Sequence, residues 1–411
     1  DVFSFIEFFN IISRIWGGVC ENLILVAVPM FIFMGTMLER SGVANDLLYC
    51  LQVLLRRVPG GLALSVTIMG TIMAATTGII GASVVMMTLL ALPVMLDRKY
   101  DPSLATGTIA ASGTLGILIP PSIMLVIMAD LLSISVGTLF LAAVIPGLLL
   151  AFIYTIYIYL RTKFNPSLAP PLSDDLGPKT KSELWIMIFR SFLPPIFLIL
   201  CVLGSIFAGV ATPTEAAAVG ALGSIILALF NKRLTKTVIK SVTERSALTC
   251  AMIFGLFIGA TAFSYVFRSL GGDDLIHHFV ESLGLGSWGI LFFMMGMVFL
   301  LGFFFDWVEI TLIVLPLFAP ILATLDFGTH LDPTMVIPWV AVLIAVNLQT
   351  SFLTPPFGFA LFYLKGVAPK SIKIQMVYKG IIPFVLLQLV GLITIILFPE
   401  LVLWLPTKLL D

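Results

Sequence analysis

Paired prolines and small hydroxyl residues interrupt two of the most apolar stretches of the chain. Residues 119–122 read IPPS within the apolar run 104–132, and residues 354–358 read TPPFG within the run 335–364. A proline has no backbone N–H, so two in succession leave two carbonyl groups without their helical donors. Carbonyl and hydroxyl oxygens are the ligands that a hard cation such as sodium prefers. Each double-proline break therefore predicts an oxygen-lined cation site.

The composition places these breaks inside a membrane. The chain has 411 residues, of which 60% are hydrophobic and 11% are charged, and its mean hydropathy is +1.14. A soluble domain carries about 25% charged residues, so soluble enzymes, nucleic-acid-binding proteins, disordered proteins and disulfide scaffolds are excluded. The apolar content is enough for about ten membrane helices of ~20 residues. Lipid offers no hydrogen bonds, so a break at this depth persists only where protein, ions or water complete it.

A polar segment precedes each break, in the middle of a long apolar run. Residues 74–83 read AATTGIIGAS and residues 305–311 read FDWVEIT, and Ser83 and Asp306 each stand ten residues before a proline. Each run predicts a re-entrant helical hairpin whose tip reaches the middle of the membrane. Two copies of helix, re-entrant hairpin and broken helix are typical of a secondary transporter built from inverted repeats. The sequence has no GxxxxGK[ST] phosphate loop, so we expect an ion gradient to supply the energy.

The predicted sodium and substrate site collects the small and polar residues of both tips and both breaks. Half-helix N-termini at one depth favour an anionic substrate, which indicates a carboxylate. Asp306 could ligate an ion or relay a proton, and Glu309 lies one turn away. No cofactor other than sodium as coupling ion is expected, and the three histidines show no transition-metal spacing. The predicted site residues are Thr76, Thr77, Gly78, Gly81, Ser83, Thr114, Gly116, Pro120, Pro121, Ser122, Asp306, Glu309, Thr311, Gln349, Thr350, Ser351, Thr354, Pro355 and Pro356.

Basic residues give the orientation and the domain boundaries. Residues 161–183 and 231–245 form two basic polar segments that flank an apolar hairpin, so both lie on one side, which the positive-inside rule makes cytoplasmic. The turn Thr212–Glu215 then faces outward, with a threonine as helix cap. We divide the chain into N-terminal scaffold helices (1–60), a first transport repeat (61–160), a linker with a scaffold hairpin (161–246) and a second repeat (247–411). Because the chain begins at Asp1, we expect the native start and a first helix to lie outside this sequence.

Several motifs together resemble the large membrane (M) subunit of tripartite ATP-independent periplasmic (TRAP) transporters, which is DctM-like. They are residues 27–35 (AVPMFIFMG), 59–63 (PGGLA), 212–220 (TPTEAAAVG) and the two breaks 119–122 and 354–358. The resemblance implies an all-α, multi-pass protein of the bacterial inner membrane with the elevator-type ion-transporter fold. It also implies sodium-driven uptake of an organic acid. The implied partners are a small membrane (Q) subunit and a soluble periplasmic substrate-binding (P) protein, within a lipid bilayer and without nucleic acid.

Two other functions remain open from the sequence. A stand-alone sodium/anion symporter of the same superfamily would share the breaks and tips, and would lack the small membrane subunit. An intramembrane enzyme would need paired intramembrane aspartates, a Ser–His pair or a metal-binding motif. Asp130, near the end of its apolar run, is expected at the membrane interface, so Asp306 has no intramembrane aspartate partner, and no histidine stands at mid-helix. A transporter is therefore the better interpretation.

The orientation can be tested with single cysteines at Ser182 and Thr214, in a background that lacks Cys20, Cys50, Cys201 and Cys250. We expect an impermeant thiol reagent added outside intact cells to label position 214 and to leave position 182 unlabelled, because the basic segments stay inside. Labelling of position 182 alone would reverse the topology.

Overall fold

The computed structural model describes residues 5–77, 80–171, 177–178 and 180–410, with side chains described except at 5–7, 74–77 and 410. All regular secondary structure in these ranges is helical. Seven helices there are long and apolar enough to cross a membrane, and nine if each of two sharply bent pairs counts as one span. The prediction of an all-α, multi-pass membrane protein is confirmed.

Among the described residues, the first part of the chain forms eight α-helices. They are α1 (Phe5–Ile15), α2 (Ala27–Arg40), α3 (Val43–Leu54), α4 (Gly61–Thr77), α5 (Ile80–Asp97), α6 (Pro102–Thr114), α7 (Ile123–Leu131) and α8 (Val136–Phe164). Helices α4 and α5 pack against each other, and the Leu62 N–H donates to the Tyr100 hydroxyl oxygen over 3.2 Å. Leu62 lies in the first turn of α4 and Tyr100 follows the end of α5. The start of α4 and the end of α5 therefore lie at the same end of the protein.

Three helices connect this part to the second. They are α9 (Lys181–Met187), α10 (Leu193–Phe207) and α11 (Pro213–Phe230). Thr212 caps α11 by accepting a hydrogen bond from the Glu215 N–H, and the Glu215 carboxylate accepts from the Thr212 N–H over 2.8 Å. This reciprocal pairing satisfies two free N–H groups at the helix start. The predicted threonine cap is confirmed.

The last part forms eight more helices. They are α12 (Lys236–Ser269), α13 (Gly272–Ser282), α14 (Ser287–Leu301), α15 (Trp307–Leu322), α16 (Val336–Leu353), α17 (Phe359–Val367), α18 (Ile374–Leu397) and α19 (Glu400–Leu410). The Asp326 N–H donates to the Ser287 hydroxyl over 3.1 Å. Ser287 is the first residue of α14, and Asp326 follows the end of α15. The start of α14 and the end of α15 therefore also lie at the same end of the protein. Helix α4 has 17 residues and α15 has 16. Both are shorter than the ~20 residues that a helix needs to span the membrane.

Helices α16 and α12 differ strongly in how much of each is buried. Of the most apolar window of α16, 94% is buried, against 11% for α12. The core is therefore built around the second broken helix, while α12 presents most of its apolar surface outward. Outward apolar side chains suit a protein whose solvent is lipid rather than water.

Helices α6 and α18 make one of the closest backbone contacts of this core. A Cβ added to Gly380 would overlap the Ser103 carbonyl oxygen, and one added to Gly107 would overlap the Gly380 carbonyl oxygen. Backbone atoms cannot give way as a flexible side chain can, so only glycine allows the two helices to approach this closely.

We expect Gly380→Ala to lower the free energy of unfolding by about 1–3 kcal/mol, the usual cost of overpacking. The measurement is thermal unfolding of the purified protein in detergent. Gly296→Ala is the control, because a Cβ at that helical position would have no atom within 4 Å. Equal melting temperatures for the two variants would contradict the close crossing.

Candidate functional site

The first break lies between α6 and α7. Helix α6 ends at Thr114, a 3-10 turn covers Leu115–Ile117, and a cis peptide bond joins Pro120 to Pro121. The Ser122 hydroxyl donates to the Ile117 carbonyl over 2.6 Å. This is the carbonyl that Pro121, four residues on, leaves without a donor. Ser122 also caps α7, accepting from the Leu125 N–H at 3.5 Å. The predicted break is present, and one predicted hydroxyl completes its backbone.

The second break lies between α16 and α17. Helix α16 ends at Leu353, Thr354 takes an extended conformation, and a cis peptide bond joins Pro355 to Pro356. The Thr354 N–H donates to the Ser351 carbonyl over 3.1 Å. A Cβ on Gly358 would stand 2.5 Å from the Phe352 carbonyl oxygen, so the chain passes close to that carbonyl after the break. In a continuous helix this carbonyl would accept from the N–H of residue 356, and Pro356 has none. This break too is present.

The hydroxyl groups of the second break donate to their own helix. Thr350 donates to the Val346 carbonyl over 2.9 Å, Ser351 to the Leu348 carbonyl over 2.7 Å, and Thr354 to the Thr350 carbonyl over 2.8 Å. Such bonds are common for Ser and Thr in membrane helices. A hydroxyl that donates its proton keeps two acceptor lone pairs. The oxygens therefore remain available as ligands.

A hydrogen bond connects the two breaks. The Gln349 Nε2 donates to the Thr114 Oγ1 over 3.4 Å, although 235 positions separate the two residues. Thr114 in turn donates to the Ala111 carbonyl over 2.9 Å. Both Gln349 and Thr114 are fully buried. The structure thus brings the end of α6 and the end of α16 together in the core.

The first turns of α5 lie against α6 and α17. A Cβ on Gly113 would stand 2.6 Å from a methyl group of Val84, the neighbour of the buried Ser83. A Cβ on Gly81 would stand 2.9 Å from the ring of Tyr363 in α17. Gly78 lies outside the described residues, as do the side chains of Thr76 and Thr77. The described part of the first predicted tip therefore contacts α6 and α17.

The segment between α14 and α15 lies against the second break. A Cβ on Gly302 would overlap the Ser351 hydroxyl, and the rings of Phe304 and Phe357 are 5.3 Å apart. Asp306 caps α15, its Oδ1 accepting from the Trp307 N–H over 2.8 Å. The carboxylate therefore stands where α15 begins, at the second predicted tip.

Three predicted site residues carry buried oxygens without a hydrogen-bond partner. They are Oε2 of Glu309, Oγ1 of Thr311 and Oε1 of Gln349. An unpaired oxygen away from water costs free energy, and such groups in native proteins normally find a partner. Carboxylate, hydroxyl and amide oxygens are also the ligands that suit sodium. The described residues contain no group of three or more His, Cys, Asp or Glu that could hold a metal ion, so any cation there depends on mixed oxygen ligands.

Sequence reasoning missed two residues of this region. Gly302 stands just before the second tip, and its glycine in an otherwise bulky segment was an available signal for close approach. Tyr363 lies within electrostatic range of Asp306 and Glu309 and packs on Gly81. No local pattern distinguishes it from other aromatic residues of an apolar helix.

Comparison with known proteins finds a matching family and similar individual proteins. The family described as "Tripartite ATP-independent periplasmic transporter, DctM component" matches residues 6–401. The chain is 32% identical to the C4-dicarboxylate TRAP transporter large permease protein DctM of Pseudomonas aeruginosa, over 94% of this chain and 87% of that protein. It is 29% identical to the ectoine/5-hydroxyectoine TRAP transporter large permease protein UehC of Ruegeria pomeroyi, over 93% and 85%.

A solved structure shares the fold at low sequence identity. The YdaH transporter of Alcanivorax borkumensis superposes with a TM-score of 0.64 at 14% identity, covering 98% of this chain and 88% of that one. The two relatives named above are transporter permeases, and the family match extends over almost the whole chain. The chain therefore belongs to the DctM family, the large permease component of tripartite ATP-independent periplasmic transporters.

Proposed function

We propose that this permease imports an organic acid across the bacterial inner membrane, driven by a sodium gradient. The observation that carries the proposal is that three predicted site residues, Glu309, Thr311 and Gln349, carry buried oxygens without a hydrogen-bond partner. A sodium ion would satisfy these oxygens, and its positive charge would attract the carboxylate of a substrate. Binding of ion and substrate would then depend on each other.

The helix ends support an inverted repeat. Asp101, at the start of α6, donates its N–H to the Leu168 carbonyl in the basic linker, which we assign to the cytoplasm. The pair α4 and α5 therefore opens to that side. Helix α12 begins in the second basic segment and ends at Ser269 on the opposite side, where Arg268 contacts α15. The pair α14 and α15 would then open outward, as re-entrant hairpins of opposite orientation require.

The names of relatives indicate the substrate class. They include permeases for C4-dicarboxylates, for ectoine and 5-hydroxyectoine, and for isethionate. Dicarboxylates and isethionate are small organic anions, as the polar break region predicts. We therefore assign this chain a small organic acid, received between the two breaks.

We further propose two protein partners, a small membrane subunit and a soluble periplasmic binding protein. The isethionate permease of Oleidesulfovibrio alaskensis is named DctMQ, and only 56% of its length matches this chain. Exposed apolar side chains on α10–α12, such as Phe197, Leu222 and Leu248, offer a surface for lipid or for such a subunit. A stand-alone symporter remains the second candidate, since it would share the two breaks and the two tips. Co-purification of a small membrane subunit with this chain would separate the two.

Uptake into proteoliposomes should require an inward sodium gradient, the small membrane subunit and the substrate-loaded binding protein. The measurement is accumulation of a labelled C4-dicarboxylate as probe. Replacing sodium with potassium on both sides, without a proton gradient, should abolish accumulation. Undiminished uptake in potassium would remove the sodium coupling, and uptake without the other two proteins would favour the stand-alone symporter.

Thr354→Val tests the second break as a sodium site. Valine keeps the shape of threonine and removes one ligand oxygen, at a cost of about 1–2 kcal/mol. The sodium concentration for half-maximal uptake should then rise about five- to thirty-fold. Thr394→Val is the matched control, because Thr394 makes the same bond to the carbonyl four residues back, in α18. Unaltered sodium dependence in both variants would show that Thr354 is not a ligand.

A further inference from the structure

A hydrogen bond outside the site joins the end of α12 to the middle of α15. Arg268 lies in the last turn of α12, and its Nη2 donates to the Pro316 carbonyl oxygen over 3.1 Å. The helical donor for that carbonyl would be the N–H of residue 320, and Pro320 has none. The guanidinium of a neighbouring helix therefore supplies the partner that the sequence of α15 removes.

A second contact orients the Arg268 side chain. Its Nε lies 3.6 Å from Oδ2 of Asp273, in the first turn of α13. A guanidinium carries its five N–H donors in one rigid plane, so one edge can face a carboxylate while the other reaches a carbonyl. Gly271, with a φ of 78°, turns the chain directly from α12 into α13. The same segment therefore carries Arg268 and the carboxylate that orients it.

The surroundings show which parts this bond connects. Arg268 and Pro316 line a cavity of about 660 Å³ bordered by α1, α7, α12 and α15. Helix α12 is the peripheral helix described above, whereas α15 begins at Asp306 and carries Glu309 and Thr311. The bond therefore links the peripheral helix α12 to α15, the helix that carries the second tip.

We propose that Arg268 is a positioning residue for transport, which holds α15 against α12 in the conformation described here. This inference rests on the proposed function and adds to it that, during transport, the helix pair of the second tip moves relative to the peripheral helices, as the elevator-type fold implied by the family resemblance requires. The guanidinium gives the Pro316 carbonyl a charge-assisted donor that α15 itself cannot supply, so the Arg268 bond favours the conformation in which it forms. Transport requires that the bond break and form again in each cycle.

The test measures how often α12 and α15 are close together. Ser264 and Leu312 both line the cavity, each four residues before a bonded residue, and receive cysteines in a background without the four native ones. A short bifunctional thiol reagent then cross-links the purified protein in lipid nanodiscs. Arg268→Gln should lower the cross-linking rate about three- to tenfold, the scale expected for loss of one solvent-exposed hydrogen bond. Arg268→Lys, which keeps a donor, should restore part of the rate.

Two further variants separate the specific bond from a general loss of charge. Arg14→Gln removes the other arginine of the cavity, whose guanidinium lies over the Tyr265 ring at 6.0 Å, and should leave the rate unchanged. Pro320→Ala returns an N–H to α15, so in that background Arg268→Gln should change the rate less than twofold. An equal loss with and without Pro320, or a loss with Arg14→Gln as large as with Arg268→Gln, would overturn the inference.

Uptake measurements on the same variants distinguish this inference from the proposed function. Arg268→Gln should change the maximal rate about threefold and leave the half-saturating sodium concentration unaltered, because Arg268 lies outside the ion site. If the unsubstituted protein shows no sodium-driven uptake, the proposed function fails while the cross-linking comparison still tests the bond. If uptake is sodium-driven and cross-linking is insensitive to Arg268→Gln, only the positioning role fails.

Discussion

The need to satisfy backbone carbonyl groups away from water governs the whole architecture. Prolines remove amide donors at both breaks and in α15, and each time another group of the protein approaches the carbonyl that is left. At the first break the Ser122 hydroxyl reaches the Ile117 carbonyl. At the second, Gly358 folds closely over the Phe352 carbonyl, and in α15 the partner is the Arg268 guanidinium. Since lipid supplies no donors, these local pairings decide where a helix can be interrupted.

The interrupted helices could be predicted from the sequence because their signals are local. Two prolines flanked by hydroxyl residues determine a break within four positions, and the Thr212–Glu215 cap follows from a pattern of similar length. The all-helical class followed from composition alone. These predictions are confirmed because the chemistry that produces them acts between residues that are neighbours along the chain.

The contacts that assemble the site could not be predicted in the same way. The bond between Gln349 and Thr114 spans 235 positions, and Tyr363 meets Gly81 across an even longer interval. Nothing in either segment specifies its partner, since many glycines and aromatic residues in an apolar chain could pair equally well. The roles of the predicted ligands, Asp306 and Thr350 among them, remain predictions for the same reason. Their oxygens are positioned by the packing of four separate segments, not by spacing along one of them.

Because α12 is long, the thickness of the membrane affects how this helix is oriented. The part of α12 that follows the basic segment, residues 246–269, extends over about 36 Å, whereas the hydrocarbon core of a bilayer is about 30 Å thick. Most of its apolar surface is exposed, so tilt is the main way in which α12 adjusts to the bilayer. A thinner bilayer increases that tilt and a thicker one reduces it. Because Arg268 stands at one end of α12, a change in this tilt would move its guanidinium relative to the Pro316 carbonyl.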